Sequence, residues 1–171
     1  MSIQKETQAQ LATETAKRVV KMKKEFSLPP KIKVFENTEK YTQLISQVGV
    51  SVSALCEHHE VAFSGDVAIG YIPGDSLVGL SKLARVAEHF LNPTVKTVQE
   101  KATQQIINYL EKVLKPKGLM VIVRARHGCM GYRGAKKNAI TITSSVRGLF
   151  EEDLGLRNEF LQIVHLNSDK I

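Results

Sequence analysis

Two cysteines and one histidine of this chain have the types and spacing of metal ligands. Cys56 and His59 are separated by two residues, so a thiolate and an imidazole can reach one ion from a single turn. Cys129 follows at the end of a predicted strand and supplies a third ligand if the two strands are neighbours. Sulfur and imidazole donors together favour zinc. Three protein ligands leave a fourth position open, which is typical of a catalytic ion that acts as a Lewis acid and activates water.

The same residues have a structural interpretation, in which both cysteines are small buried hydrophobic residues and the histidines are ordinary ones. Three of the five histidines and both cysteines fall in two short clusters, which favours a site. His58 and His127 would remain beside the ion as imidazoles that do not bind it, and imidazole is suited to proton transfer at neutral pH. We interpret His89 and His165, which lie within helical patterns, as structural.

A predicted helix begins with residues that could bind an anion. Ser81, Lys82 and Arg85 fall in its first turns, where free backbone N–H groups and the helix dipole attract negative charge. Arg133, just after the second cysteine cluster, adds a planar guanidinium that fits phosphate oxygens. A solvated helix face is the alternative for the lysine and arginine of the helix.

Gln99 and Glu100 begin the next predicted helix. A carboxylate can accept two hydrogen bonds from the N1–H and N2 amino edge of guanine. Glutamate also occurs on exposed helices for solubility alone, and taken by itself this pair favours the second interpretation.

The hydrophobic pattern predicts the elements that position these residues. Helical spacing predicts helices over 5–25, 80–90, 95–113 and 159–164, and β-type patterns predict strands over 31–35, 48–54, 118–126 and 139–146. Pro29 and Pro30 end the first helix. Ser64-Gly65-Asp66, between two β-rich runs of the segment 61–72, predicts a hairpin. We therefore predict an α+β fold in which an antiparallel sheet carries helices on one face.

Composition and charge limit the class of protein. The chain of 171 residues has the length of one domain and a net charge of +7, which favours anionic partners. Two cysteines form no disulfide framework, and the N-terminus lacks a signal-peptide pattern, so we expect reduced thiols and a cytoplasmic location. The longest apolar run, Leu119 to Val123, is far too short to cross a membrane.

Five motifs occur along the chain: Cys56-Glu-His-His59, Gly79-Leu-Ser-Lys-Leu-Ala-Arg85, Gln99-Glu100, His127-Gly-Cys-Met130 and Arg133-Gly134. In this order and at about these distances they resemble GTP cyclohydrolase I, and the resemblance spans Ala16 to Val164. It implies a tunnelling fold, in which subunits pool antiparallel strands into a large barrel. It also implies a homo-oligomer, usually a decamer of two pentamers, with sites between subunits. Residues 1–28 would then form an N-terminal helical segment and residues 29–171 the catalytic domain.

The resemblance further implies a reaction and roles for the candidate residues. GTP would be opened at C8 of guanine, formate would leave, and rearrangement would give 7,8-dihydroneopterin triphosphate. The implied metal ligands are Cys56, His59 and Cys129, with zinc as the cofactor. The implied catalytic residues are His58, His127 and Ser81, with the two histidines as acid and base. The residues implied to surround the triphosphate are Ser81, Lys82, Arg85 and Arg133, and those implied to recognise guanine are Gln99 and Glu100.

The chain departs from the family pattern at several positions, and these departures keep other functions open. Thr97 stands where the family has a glutamine, and Arg124 stands where an acidic or neutral residue is frequent. One alternative is therefore a related zinc enzyme that acts on another nucleotide. A second is a basic nucleic-acid-binding protein with a structural metal, indicated by the basic run from Lys17 to Lys33. No pattern of a known RNA- or DNA-binding module accompanies that run, so we expect neither nucleic acid nor membrane as a partner.

Overall fold

A five-stranded sheet forms the centre of the computed structural model, which describes residues 7–27 and 30–167. Its strands, in spatial order, are β5 (Lys96–Thr97), β2 (Ile45–Cys56), β3 (Ala62–Ile72), β6 (Gly118–His127) and β7 (Ile140–Gly148). Neighbouring strands are antiparallel, except that β5 pairs parallel to the end of β2. A separate two-stranded sheet joins β1 (Val34–Glu36) to β4 (Ser76–Val78).

The helices of the described residues are α1 (Gln8–Ser27), α2 (Leu80–Phe90), α3 (Gln99–Leu114), α4 (Gly128–Gly131), α5 (Leu149–Glu152) and α6 (Leu154–Leu166). Successive residues of a strand point to opposite faces of the sheet, so neighbours in β3 enter different cores. Val67 packs in one buried cluster with Leu83 of α2 and Ile106 of α3. Ala68, the next residue, packs in the other cluster with Phe160 of α6.

The predicted α+β class with an antiparallel sheet is confirmed. Helices α2 and α3 lie on one face of the sheet, and the C-terminal helices α5 and α6 cover part of the opposite face, so the helices are not confined to the one face that the sequence predicted. No helix of the described residues is long and apolar enough to span a bilayer.

The predicted hairpin at Ser64-Gly65-Asp66 is wrong, because β3 runs without interruption through these residues. The chain reverses instead between β2 and β3, where Glu60 adopts a left-handed conformation with φ of 55°. Glycine is needed at position 65 for a different reason, which is the close approach of the neighbouring strand. A Cβ atom there would lie 1.8 Å from the carbonyl oxygen of Arg124 and 2.7 Å from the Cα of Ala125, so only glycine lets β3 and β6 pair at this point.

We expect Gly65→Ala to lower the free energy of unfolding by about 3 kcal/mol or more, since the clash is with backbone that cannot move aside. Gly79→Ala is a matched control, because a Cβ there would lie 3.7 Å from its nearest neighbours at an ordinary backbone conformation. Its expected cost is about 1 kcal/mol or less. Thermal unfolding of the two variants measures the difference, and equal melting temperatures would contradict this explanation of Gly65.

Some element boundaries differ from the predicted ones. Helix α3 begins at Gln99 rather than near residue 95, because Lys96 and Thr97 are extended and pair with Leu55 and Cys56. That pairing ties the first turn of α3 to the end of β2. The strand β1 begins at Val34 rather than at residue 31. Helix α1 ends at Ser27, and the predicted terminator Pro29 and the predicted boundary after residue 28 lie outside the described residues.

Candidate metal centre

The three predicted ligands lie together at one end of the sheet. The ligand atoms of Cys56, His59 and Cys129 are all within 4.8 Å of one another, and Cys56 Sγ is 3.9 Å from His59 Nδ1. Four-coordinate zinc with such ligands needs separations of about 3.5 to 4 Å between ligand atoms. A small contraction would therefore bring all three onto one ion, and the residues present fit the metal that the donor set favours.

Backbone pairing explains the convergence. Strands β2 and β6 are not neighbours, since β3 lies between them, but both end beside the start of β3. Helix α4, which carries Cys129, then folds over that end. Gly128 allows this close approach, because a Cβ there would lie 2.7 Å from Val61 Cγ1 and 2.8 Å from the carbonyl oxygen of Ala62. The turn after Cys56 carries His59 toward the same point.

The electrostatics of the cluster favour a bound cation. Burial raises the pKa of the Cys129 thiol, and negative charge on nearby Cys56 raises it further, while Arg133 opposes both effects. Two thiolates so close together repel each other unless a cation lies between them. Metal ligands must be deprotonated, so an ion at this point would offset that repulsion.

Two further imidazoles border the cluster. His127, the last residue of β6, stacks on Phe63 with ring centroids 4.6 Å apart and an angle of 10° between the planes. Its Nε2 lies 2.8 Å from Gln99 Oε1, and burial lowers its pKa, opposed in part by the charge of Glu100. His58 is exposed, with its ring edge-on to that of His59 at 6.2 Å.

The side chain of Gln99 lies in the interior, which differs from the position expected of a residue that recognises a base. It is 1% exposed, and its nitrogen donates to the carbonyl oxygens of Val123 and Thr141. The adjacent Glu100 is exposed and remains free to meet a ligand from solvent. The contacts of His127 with Gln99 and Phe63 were not predicted from the sequence. The position of Phe63 in an alternating strand was the one local pattern that could have indicated a buried aromatic neighbour.

The predicted phosphate-binding residues do not all reach this end of the sheet. Arg133 follows α4 and acts electrostatically on Cys129. Ser81 and Lys82 begin α2 beside the other end of β3, since Val78 lies against the Tyr71 hydroxyl. Eight residues of strand separate Phe63 from Tyr71, a distance of about 26 Å. Arg85 lies one turn further along α2, in a cavity with Glu25 and Glu88.

An α+β chain with two cysteines, a histidine and neighbouring imidazoles at one point has the make-up of a metal-dependent hydrolase. Comparison with protein families matches residues 1–165 to GTP cyclohydrolase I. The chain belongs to the GTP cyclohydrolase I family, whose members are hydrolases that act on GTP.

Individual relatives agree. The chain is 41% identical over 155 residues to GTP cyclohydrolase 1 of Aquifex aeolicus (strain VF5), which covers 88% of this chain and 83% of that protein. It is 43% identical over 130 residues to GTP cyclohydrolase 1 of Dictyostelium discoideum, covering 75% of this chain but only 55% of that longer protein. A solved structure, an archaeosine synthase QueF-Like in the apo form, matches this chain with a TM-score of 0.47 and 12% identity. The match covers 60% of this chain and 92% of that one.

Proposed function

We propose that this chain catalyses the hydrolytic opening of the guanine of GTP at C8, with release of formate and rearrangement to 7,8-dihydroneopterin triphosphate. The single observation that carries the proposal is the convergence of Cys56, His59 and Cys129 beside His127 in a chain of this family. The two cysteines are free thiols, and their use as ligands fits a reducing compartment such as the cytoplasm.

Cys56, His59 and Cys129 would hold zinc, and no fourth side chain completes the group among the described His, Cys, Asp and Glu residues. Bound there, zinc would supply Lewis acidity and lower the pKa of a water molecule at its open position. The remaining work falls to the chain's own side chains, which must bind the nucleotide, orient C8 and move protons.

Hydrolytic ring opening needs a base that takes a proton from water and an acid that gives one to the departing ring nitrogen. His127 and His58 border the cluster and are proposed for these two roles. Glu100 follows buried Gln99 in the chain, and it lies close enough to His127 for its negative charge to raise the pKa of that imidazole. Its carboxylate is proposed to accept the N1–H and N2 amino hydrogens of guanine, which would place the purine over the histidines.

The site needs a second copy of the chain for its triphosphate-binding part. Ser81 and Lys82 begin α2 beside the end of β3 that lies away from the metal cluster of their own chain, so a neighbour is proposed to supply them together with Arg85. Among the described residues, β7 pairs only with β6, and residues 45–54 of β2 pair only with β3.

Two open edges of one sheet favour head-to-tail pairing of copies. Strand β7 is nine residues long and exposes Ile140 and Ile142, which is unusual for an edge that stays free in solution. Pairing of β7 with β2 of the next copy would continue the sheet from chain to chain, and such a heterologous contact forms a ring when the rotation between copies closes. A barrel of two pentameric rings, the arrangement that the family implies, is proposed for the assembly.

Thr97 bears on the alternative of another nucleotide. Its side chain is 2% exposed and its hydroxyl donates to the Val98 carbonyl, so a base that binds from solvent would not reach this side chain. The nucleic-acid alternative depends on the basic run from Lys17 to Lys33, and within that run Lys17 pairs with Glu14.

The test is turnover of a nucleotide panel by zinc-loaded protein. We expect GTP to yield formate and a product that becomes a fluorescent pterin on oxidation, while ATP, ITP and CTP yield little of either. Turnover of another triphosphate in preference to GTP would favour the related-enzyme alternative. Salt-dependent binding to nucleic acid without any turnover by an assembled sample would contradict the proposal.

A further inference from the structure

We infer that Gln99 is a positioning residue that holds His127 with its proton on Nε2, so that Nδ1 is the atom that accepts a proton in catalysis. The proton on Nε2 is fixed by hydrogen bonds within the chain alone, whereas the part of Nδ1 in catalysis rests on the proposed function.

The orientation of the Gln99 amide is fixed by its surroundings. One end lies 3.0 Å from the carbonyl oxygen of Val123, 3.0 Å from that of Thr141 and 3.2 Å from Thr143 Oγ1. Backbone carbonyl oxygens only accept hydrogen bonds, so this end must be the NH₂ group. The reverse orientation would place an oxygen against two buried carbonyl oxygens and lose both hydrogen bonds.

The opposite end of the amide is therefore an oxygen, which can only accept. It faces His127 Nε2 at 2.8 Å, so this nitrogen must donate and must carry the proton. Stacking on Phe63 holds the ring in its plane. In the neutral ring the lone pair is then on Nδ1, which makes no hydrogen bond to any residue that the structure describes.

The neighbouring hydroxyl groups agree with this orientation of the amide. Thr103 Oγ1 donates to the main-chain carbonyl oxygen of Gln99 at 2.8 Å and lies 2.7 Å from Thr143 Oγ1. With the Thr103 proton on that carbonyl, the Thr143 hydroxyl donates to Thr103, and its oxygen shares the two N–H groups of the Gln99 amide with the carbonyl oxygens of Val123 and Thr141. Every donor of this buried network has an acceptor, and a fully satisfied network of this kind is rigid.

This geometry separates two roles for Gln99. A residue that recognises guanine acts on substrate binding and selectivity, so its loss raises KM. A residue that fixes the tautomer of His127 acts on proton transfer, so its loss lowers kcat and leaves KM nearly unchanged. The amide is neutral and holds the ring without adding charge, which suits a histidine that begins the reaction as a base.

The tautomer can be measured directly by two-bond ¹H–¹⁵N NMR of protein labelled at histidine, with His127→Gln to assign the resonance. We expect Nε2 of His127 to be the protonated nitrogen at a pH of about 8, in metal-free and zinc-loaded protein alike. In Gln99→Met the preference should be lost, and in His165→Ala, which changes an exposed histidine, it should be unchanged. A neutral His127 with its proton on Nδ1 in the unaltered chain would overturn the inference.

Kinetics gives the second readout. We expect Gln99→Met to lower kcat about 10- to 100-fold with KM for GTP changed less than about threefold. If that variant does not fold, Thr143→Val removes one anchor of the amide and should give a smaller loss of the same kind, with a partly mixed tautomer. If Gln99→Met instead raised KM, with normal kcat and an unchanged tautomer of His127, the inference would be wrong and Gln99 would act in guanine recognition. Absence of GTP turnover in the unaltered chain contradicts the proposed function but leaves the NMR result intact.

Discussion

Replacement of Cys129 by alanine is expected to remove both the bound metal and the conversion of GTP, while the fold persists. Two ligands, Cys56 and His59, come from one turn, and Cys129 alone joins them to the other side of β3. Loss of one of three protein ligands leaves two, too few for a stable catalytic zinc site. The Lewis acid contributes several kcal/mol to stabilisation of the transition state, so we expect turnover to fall by about a thousandfold or more.

The measurement has three parts: zinc per chain by elemental analysis, kcat with GTP, and thermal unfolding of metal-free protein. Cys129 is only partly buried, so the metal-free variant should melt within a few degrees of the metal-free parent chain. His165→Ala, which removes a histidine from the exposed last turn of α6, is the control and should retain zinc and activity. A Cys129→Ala protein that keeps one zinc per chain and near-normal turnover would show that the three residues do not form the metal site.

The second large effect concerns the division of the site between copies of the chain. Lys82→Ala removes a cation proposed to bind the triphosphate of a neighbour's substrate, and loss of such a partner costs about 2 to 5 kcal/mol. Cys129→Ala instead removes a ligand from the metal-binding part of the site. Each variant alone is therefore expected to be nearly inactive, although each keeps one half of the site intact.

Mixed oligomers of the two variants are expected to regain activity. Where a chain with intact Cys129 pairs with a neighbour that keeps Lys82, one complete site forms. Random mixing of equal amounts in a head-to-tail ring gives about a quarter of the normal number of complete sites. Co-expression with two different affinity tags isolates the mixed assemblies, and the separately purified variants serve as controls. Mixed assemblies as inactive as their components would mean that both halves act within one chain.

Local patterns predict the helices and strands of this chain where one physical signal dominates. Helix α2 begins and ends where helical spacing and Asn92-Pro93 place it, and β2 follows its alternating valines. Ser64-Gly65-Asp66 misleads, because a local turn signal there is outweighed by pairing of β3 on both sides. The start of α6 was predicted too late, although Asp153 accepts a hydrogen bond from the Leu156 N–H and is a recognisable N-cap.

The site could be predicted only in part for the same reason. The residue types of Cys56, His59 and Cys129 indicate a metal, but their meeting depends on β3 lying between two strands, which no local pattern contains. The role of Gln99 depends on carbonyl groups of β6 and β7, which are distant in sequence. Residues that act through such contacts become visible only in three dimensions.

The central claim is that Cys56, His59 and Cys129 bind one catalytic ion and leave one position open. X-ray absorption at the zinc K-edge, on protein loaded with one zinc per chain, tests it most directly. We predict two sulfur ligands at about 2.3 Å and two nitrogen or oxygen ligands at about 2.0 to 2.1 Å, one of them displaced when a small anion is added. A shell of four protein ligands that no anion disturbs, or failure to bind stoichiometric zinc, would contradict the account.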